Sequence, residues 1–122
     1  MISRPVLSPG PDHPISIDGN RQHVRLTADG DFIADGFALA LQEAGYPAVF
    51  YVERSTLEST ALTRSQKTTW CPYKGEATHY HLTLANGSVL ENAVWSYEDP
   101  LPAVAAIKDY LAFYPDVMVT RV

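Results

Sequence analysis

The residues best suited to chemistry lie in one short stretch, TTWCPYKGEATHYH, at positions 68–81. It contains the only cysteine of the chain, Cys71, followed by Lys74 and then by His79 and His81. The nucleophilic form of cysteine is the thiolate, and a nearby ammonium or imidazole lowers the pKa of a thiol. The stretch therefore predicts either a reactive cysteine or, as the alternative, a free cysteine that packs as a small buried hydrophobic residue.

The same stretch supplies candidate proton carriers. If the chain catalyses a reaction, we expect Cys71 to act as nucleophile or pocket wall and Lys74 to hold an anion. Glu76 or His79 would then carry protons. These four residues are the candidate catalytic set, and the sequence leaves open whether the chain is an enzyme.

A second set of residues suits ligand binding, because an aromatic wall with a few polar groups is typical of small-molecule pockets. Arg54 and Lys74 suit a carboxylate or phosphate, so the predicted ligand is an anion. The alternative is a structural or interaction module without a catalytic role, in which the aromatic residues form the core and Lys74 and Glu76 form a surface pair. The candidate ligand-binding residues are Arg54, Tyr73, Lys74, Trp95 and Tyr97, with Tyr51 and Trp70 nearby.

A metal site is a further alternative. The pattern His79-x-His81 on a strand places two imidazoles on one face, and Cys71 with His23 or Glu76 would complete four ligands. Small zinc domains use paired cysteines, however, and this chain has a single one. We therefore predict neither a metal nor a cofactor.

Composition limits the class of protein. The chain has 122 residues, enough for one domain with a real core, and a formal net charge of −5 argues against binding to nucleic acid phosphates. No apolar run is long enough for a membrane span, and the N-terminus lacks the apolar region of a secretory signal. A single cysteine is typical of a reducing compartment, so we expect a cytoplasmic protein. The partner we expect is a small-molecule ligand, and the sequence leaves open whether the chain forms a homodimer.

Periodicity predicts a mainly β protein. Residues 1–14 hold four prolines and form a predicted N-terminal arm, and residues 15–122 form a single β-rich domain. A hairpin is expected around Asp29-Gly30, with Leu26 opposite Ile33 and Thr27 opposite Phe32. Further strands are predicted at 37–45, 48–53 and 117–122, with a polar turn or short helical piece at 55–60.

The strongest hairpin signal is Asn86-Gly87. A two-residue loop there would pair Tyr80 with Ala93 and His79 with Val94. A register slip by one residue would exchange the two faces of the ribbon. We expect a core face with Tyr80, Leu82, Leu84, Val89, Ala93 and Trp95, and an opposite face with Ala77, His79, His81, Leu90, Asn92, Val94 and Ser96 that borders a cleft.

One α-helix is predicted over residues 99–115. Asp99 is a suitable cap, Pro100 and Pro102 are tolerated in a first turn, and Pro115 would end the helix. Val104, Ala105, Ile107 and Leu111 would form its apolar stripe.

The segments CPYKGEATHYH and AVWSYEDPLPAVAAIKDYLAFYP, with HPISID near the start, resemble an uncharacterised bacterial and fungal family, domain of unknown function 427, over about residues 13–122. The resemblance implies a compact β-rich fold with one helix near the C-terminus, related to the tent-like folded sheets of small zinc-binding domains. It implies no established activity, although the family is sometimes labelled a nucleotidyltransferase.

The nucleotidyltransferase label finds little support in the residues. Family members usually have a proline before the arginine and acidic residues after it, whereas this chain has Glu53, Arg54, Ser55 and Thr56 there. Nucleotidyl transfer needs metal-binding carboxylates after a Gly-Ser pair, but Gly87-Ser88 lies in a hairpin turn. The paired acids of Asp29-Gly30-Asp31 also lie in a turn, so nucleotidyl transfer is only a minor alternative.

Overall fold

The computed structural model describes residues 4–122 and consists of two curled antiparallel sheets. Strands make up 53% of the described residues, which confirms the mainly β prediction. The first sheet has the order β1-β3-β2-β9, with β4 also paired to β3, and the second has the order β5-β6-β7-β8. The strands are β1 (Ile15–Ile17), β2 (Gln22–Ala28), β3 (Asp31–Glu43), β4 (Val49–Val52), β5 (Leu62–Cys71), β6 (Gly75–Thr83), β7 (Val89–Ser96), β8 (Ala112–Phe113) and β9 (Met118–Arg121).

The β2–β3 hairpin turns at Asp29 and Gly30, as predicted. Both residues have positive φ, at 51° and 81°, which is what a tight two-residue turn requires. Thr27 lies opposite Phe32 as expected, but Leu26 lies opposite Ala34 because a bulge separates it from Thr27.

The predicted register of the β6–β7 hairpin is wrong. The Leu84 amide donates to the Ser88 carbonyl, so the loop has three residues and Leu82 lies opposite Leu90. Beyond a bulge, Tyr80 lies opposite Val94. Three residues of β7, at 91–93, lie opposite the single residue His81 at this bulge, and Asn92 there has φ of 51°.

The corrected register changes the predicted faces of the hairpin. Val94 shares a face with Tyr80, and the two pack together in the core, whereas Trp95 lies opposite His79. Trp95 was predicted on the core face with Tyr80, and that prediction is wrong. Both faces of the β6–β7 ribbon are therefore covered, and Trp95 lies on the face that also carries His79.

The α-helix predicted over residues 99–115 does not form. Short 3₁₀ turns occupy Arg54–Thr56, Ser59–Ala61 and Pro102–Ile107, and the last of these is kinked at Val104, which has φ of −122°. Beyond it, Leu111 exchanges two backbone hydrogen bonds with Val52, and the strand Ala112–Phe113 pairs with β7. Pairing with other strands satisfies these backbone groups, so tertiary contacts override the local helix preference.

The hydrophobic core has two buried clusters, and each contains residues from both sheets. Val104 and Ile107 are fully buried, as the predicted stripe required, but Ala105 is exposed. One cluster contains Val24, Leu26, Ala38, Val52, Tyr80, Leu82, Ala93, Val94, Leu111 and Val117. The other contains Leu41, Tyr51, Ala77, Tyr97, Val104, Ile107 and Ala112.

The N-terminal arm packs on the turn that follows β5. The indole nitrogen of Trp70 donates to the Pro5 carbonyl at 2.7 Å, and the Leu7 amide donates to the Pro72 carbonyl at 2.9 Å. Residues 1–3 of the predicted arm lie outside the described residues. Across residues 4–122, no helix is both long and apolar enough to cross a membrane.

Candidate functional site

The segment Cys71–Gly75 forms a tight turn between β5 and β6. Cys71 pairs with Gly75, and Gly75 has φ of +107°, a conformation that side-chain-bearing residues rarely adopt. The Lys74 carbonyl accepts a hydrogen bond from the Leu101 amide at 2.9 Å, which fixes the turn against the segment after β7. As a result, the Lys74 side chain is held in the protein rather than in solvent, with only 8% of the residue exposed.

Lys74 forms an ion pair with Glu43 at the end of β3. The ammonium group bonds one carboxylate oxygen of Glu43, and Nε2 of His13 lies 2.6 Å from the other oxygen. The His13 ring stacks on Tyr73, with centroids 4.0 Å apart and planes 5° from parallel. Burial opposes ionisation of Glu43, but the hydrogen bonds from Lys74 and His13 outweigh it and hold the pKa of this carboxyl below its usual value.

A pocket of about 590 Å³ opens beside this ion pair. Aromatic side chains from β4 and β7 and from the segments after β3, β7 and β8 form much of its wall, and Cys71 and Lys74 are also lining residues. Trp95 packs edge-on against Tyr51, with centroids 6.4 Å apart, and against Tyr114 at 4.6 Å. The lining residues are Leu41, Glu43, Tyr46, Pro47, Ala48, Val49, Tyr51, Thr69, Cys71, Lys74, Trp95, Tyr97 and Tyr114.

Burial also governs the titration of the tyrosines in this wall. Desolvation raises the pKa of Tyr51 and of Tyr97 far above the ordinary value, so both phenols stay neutral across the physiological range. The pocket therefore combines a neutral aromatic wall with one paired cation and one paired carboxylate.

His79 lies behind this wall rather than in it. The residue is 1% exposed, and its Nε2 lies 2.9 Å from the hydroxyl of Tyr114, which does line the pocket. Burial, reinforced by the Lys67 ammonium, lowers the pKa of His79. A neutral imidazole in this position reaches the pocket through Tyr114.

Arg54 is not brought to Lys74. Its guanidinium donates to the Asp109 carbonyl and to the Ser96 hydroxyl, both at 3.0 Å, and lies 3.3 Å from Glu98. Glu98 also pairs with Arg64 at 2.9 Å. Arg54 is thus part of a separate ionic cluster over the Tyr80 ring and is not a lining residue of the pocket.

Some of the remaining predicted site residues line the pocket and others do not. Glu76 forms an exposed ion pair with Arg4 at 2.7 Å. Tyr73 stacks on His13, which contacts Glu43, but Tyr73 is not a lining residue of the pocket. Of the predicted catalytic and binding residues, Cys71, Lys74, Trp95 and Tyr97 share the pocket.

Two of the histidines that were candidate metal ligands, His81 and His23, contact other residues. Nδ1 of His81 accepts a hydrogen bond from the backbone amide of Asn92 at 3.0 Å. The His23 ring stacks on Phe37, with ring centroids 5.2 Å apart. Within residues 4–122, no group of three or more His, Cys, Asp or Glu side chains is placed to hold a metal ion.

The residues of the site that were not singled out from the sequence include His13, Glu43 and Tyr114. Glu43 and Lys74 are 31 positions apart and meet only because β3 and the β5–β6 turn are packed together. Tyr114 was placed in a helix that does not form. Local pattern carries no signal for these contacts, although a carboxylate at the end of a long apolar strand is a feature that could have drawn attention to Glu43.

A larger cavity, of about 680 Å³, lies between the two sheets near the β2–β3 and β6–β7 hairpins. Among the described residues, the charged members of its lining are Asp31 and Glu58, both acidic. It therefore lacks the paired charges that would orient a ligand, and we take the smaller pocket as the candidate site.

The model of the family described as "Domain of unknown function (DUF427)" matches residues 16–122. No curated protein matches the sequence.

Proposed function

Since the chain belongs to the DUF427 family, whose description assigns no activity, we propose a function from the geometry: the protein binds a small, flat, uncharged molecule in the pocket beside Lys74. The observation that carries the proposal is an ion pair with little exposure, Lys74–Glu43, at the side of a pocket walled by aromatic rings. Ligand sites usually combine an apolar wall with a few placed polar groups.

The charge balance of the pocket supports an uncharged ligand over the anion expected from the sequence. The ammonium of Lys74 is already neutralised by Glu43, whose second oxygen faces His13. Arg54, the second cation that the sequence predicted for anion binding, is hydrogen-bonded to Glu98 and Ser96 instead. An anion entering the pocket would meet the Glu43 carboxylate, and among the described lining residues the only Lys or Arg, Lys74, is already paired with it.

A thermal-shift screen tests the proposal, because a ligand that binds only the folded state raises the melting temperature. We expect uncharged aromatic fragments to raise it and nucleotides and small organic acids to leave it unchanged. A screen in which only the anions stabilise the protein would contradict the proposal.

A blocked pocket provides the control. Ala48 lines the pocket and is exposed, so Ala48→Phe fills the opening without disturbing the core. Ala105 is equally exposed but is not a lining residue, so Ala105→Phe is the matched substitution elsewhere. The fragment shift should disappear in Ala48→Phe and persist in Ala105→Phe, and equal shifts in both variants would refute binding at this site.

A further inference from the structure

The buried imidazole of His79 lies behind the pocket wall, and the proposed function does not use it. Its Nε2 lies 2.9 Å from the Tyr114 hydroxyl, and its Nδ1 is buried without a hydrogen-bond partner in residues 4–122. A buried polar atom without a partner costs free energy, so its presence calls for a reason. We consider that His79 determines whether the hydroxyl of Tyr114, which lines the pocket, donates or accepts hydrogen bonds.

The position of the proton on His79 decides what Tyr114 can offer. Burial, and after it the Lys67 ammonium, disfavour the imidazolium, so the ring is neutral and carries one proton. The backbone carbonyls of Ala77 and Lys67 act in the opposite sense and raise the pKa of the ring, although neither forms a hydrogen bond with Nδ1. A hydroxyl can donate or accept, whereas a carbonyl only accepts, so a proton on Nδ1 suits the groups on both sides of the ring, and Nε2 then presents its lone pair to the tyrosine.

With Nε2 as acceptor, the Tyr114 hydroxyl must donate to it. The phenol has one proton, so its oxygen has only lone pairs left for any other partner. The ring itself is held in place, because the Tyr114 amide donates to the Ala93 carbonyl at 2.9 Å and Trp95 packs against the ring face. Tyr114 is then a fixed hydrogen-bond acceptor in an otherwise aromatic wall.

We propose that the pocket selects flat, uncharged rings bearing an N–H or O–H group, which donates to Tyr114, and that His79 is the positioning residue that keeps this tyrosine an acceptor. This inference rests on the proposed function and names the ligand class for the same site. Indoles, phenols and related heteroaromatic N–H compounds meet the requirement.

The first test compares indole with benzofuran, which has nearly the same shape but no donor. The chain has two tryptophans, Trp70 and Trp95, so a ¹⁵N spectrum shows two indole signals that Trp70→Phe assigns. Trp95 lines the pocket and reports binding, while Trp70 lies under the N-terminal arm and serves as the internal control. One net hydrogen bond predicts about fivefold to tenfold tighter binding of indole.

Two variants connect this preference to Tyr114. Tyr114→Phe removes the acceptor and should bring the indole to benzofuran ratio close to one. Tyr46→Phe removes another phenol of the pocket lining and should keep the preference. A preference that survives in Tyr114→Phe would overturn the inference, since another acceptor such as Glu43 would then take the proton.

The outcomes separate the two proposals. Equal binding of both probes to the wild-type protein overturns the selectivity but leaves the pocket as a ligand site. Failure of both probes to shift the Trp95 signal overturns the proposed function and this inference together.

A second measurement needs no variant and no ligand. Long-range ¹H–¹⁵N correlation spectra of the wild-type protein give the protonated nitrogen of His79 directly, and we expect Nδ1. A proton on Nε2 would make Tyr114 the acceptor of His79 and free its own hydrogen for donation, which would overturn the inference.

Discussion

The ion pair between Lys74 and Glu43 gives the sharpest stability prediction. Lys74→Met removes the ammonium, retains most of the aliphatic stem and leaves Glu43 with His13 as partner. The two side chains of the pair are 10% and 18% exposed, so the remaining carboxylate is largely desolvated. Breaking a buried pair costs about 3–5 kcal/mol, and we expect about 2–3 kcal/mol here because His13 remains and some water reaches Glu43.

Urea unfolding at neutral pH measures this cost, and a double variant provides its control. Glu43→Gln combined with Lys74→Met removes both charges, so we expect it to unfold within about 1 kcal/mol of the wild-type protein. The reasoning is refuted if Lys74→Met is as stable as wild type, or if the double variant is less stable than the single one.

The pH dependence of this cost follows from the direction of the Glu43 shift. The pKa of Glu43 in the folded state lies below its ordinary value of 4.5. The ionised carboxylate therefore stabilises the fold fully above that value, and this contribution is lost as the pH falls through the folded-state pKa. The stability gap between wild type and Lys74→Met should narrow on acidification, and a gap that widens would contradict the assignment.

Three further predictions concern other residues of the site. The pKa of His79 is lowered from 6.5, so the unfolded chain takes up this proton more readily and the protein loses stability as the pH falls from about 7 to 5. His79→Gln should reduce the dependence of the urea unfolding midpoint on pH in that range, and an unchanged dependence would count against a neutral buried imidazole. Gly75→Ala should lower the free energy of unfolding by about 1–2 kcal/mol because of its positive φ, whereas Gly45→Ala, with open space around it, should change it by less than about 0.5 kcal/mol. Cys71 lies in the pocket lining, so a saturating fragment should slow its alkylation by iodoacetamide several-fold, and equal rates would place the fragment elsewhere.

Local sequence signals predicted the parts of the fold that local energies decide. Asp29 and Gly30 form the expected turn, because positive φ at both positions suits these residue types. The strand predicted at 37–45 forms as part of β3, although its Ala, Leu and Glu residues also favour helix. Its alternation was the better guide, because tertiary pairing with β1, β2 and β4 determines its structure.

The failures arise where pairing between distant strands decides the structure. Two extra residues around Asn92 shift the β7 register, and no rule of composition locates such a bulge. The segment around Leu111 has helical composition, but its backbone groups pair with Val52 and β7. Both cases concern long-range hydrogen bonds that a local pattern does not contain.

Only part of the candidate site could be predicted, again because some of its contacts join residues far apart in the sequence. The sequence indicated the Cys71–Gly75 turn and its aromatic neighbours, and the structure places Lys74 and Trp95 in one pocket. It gave no indication that Glu43 would neutralise Lys74 or that Arg54 would be bonded to Glu98, and these two contacts change the expected ligand from an anion to an uncharged ring.

The most direct test of the account is a crystal structure of the protein with the aromatic fragment that raises its melting temperature most. We predict the fragment in the pocket beside Lys74, packed against Trp95 and Tyr114. A fragment bound instead in the larger cavity between the sheets, next to Leu84 and Ile33, would contradict the central claim.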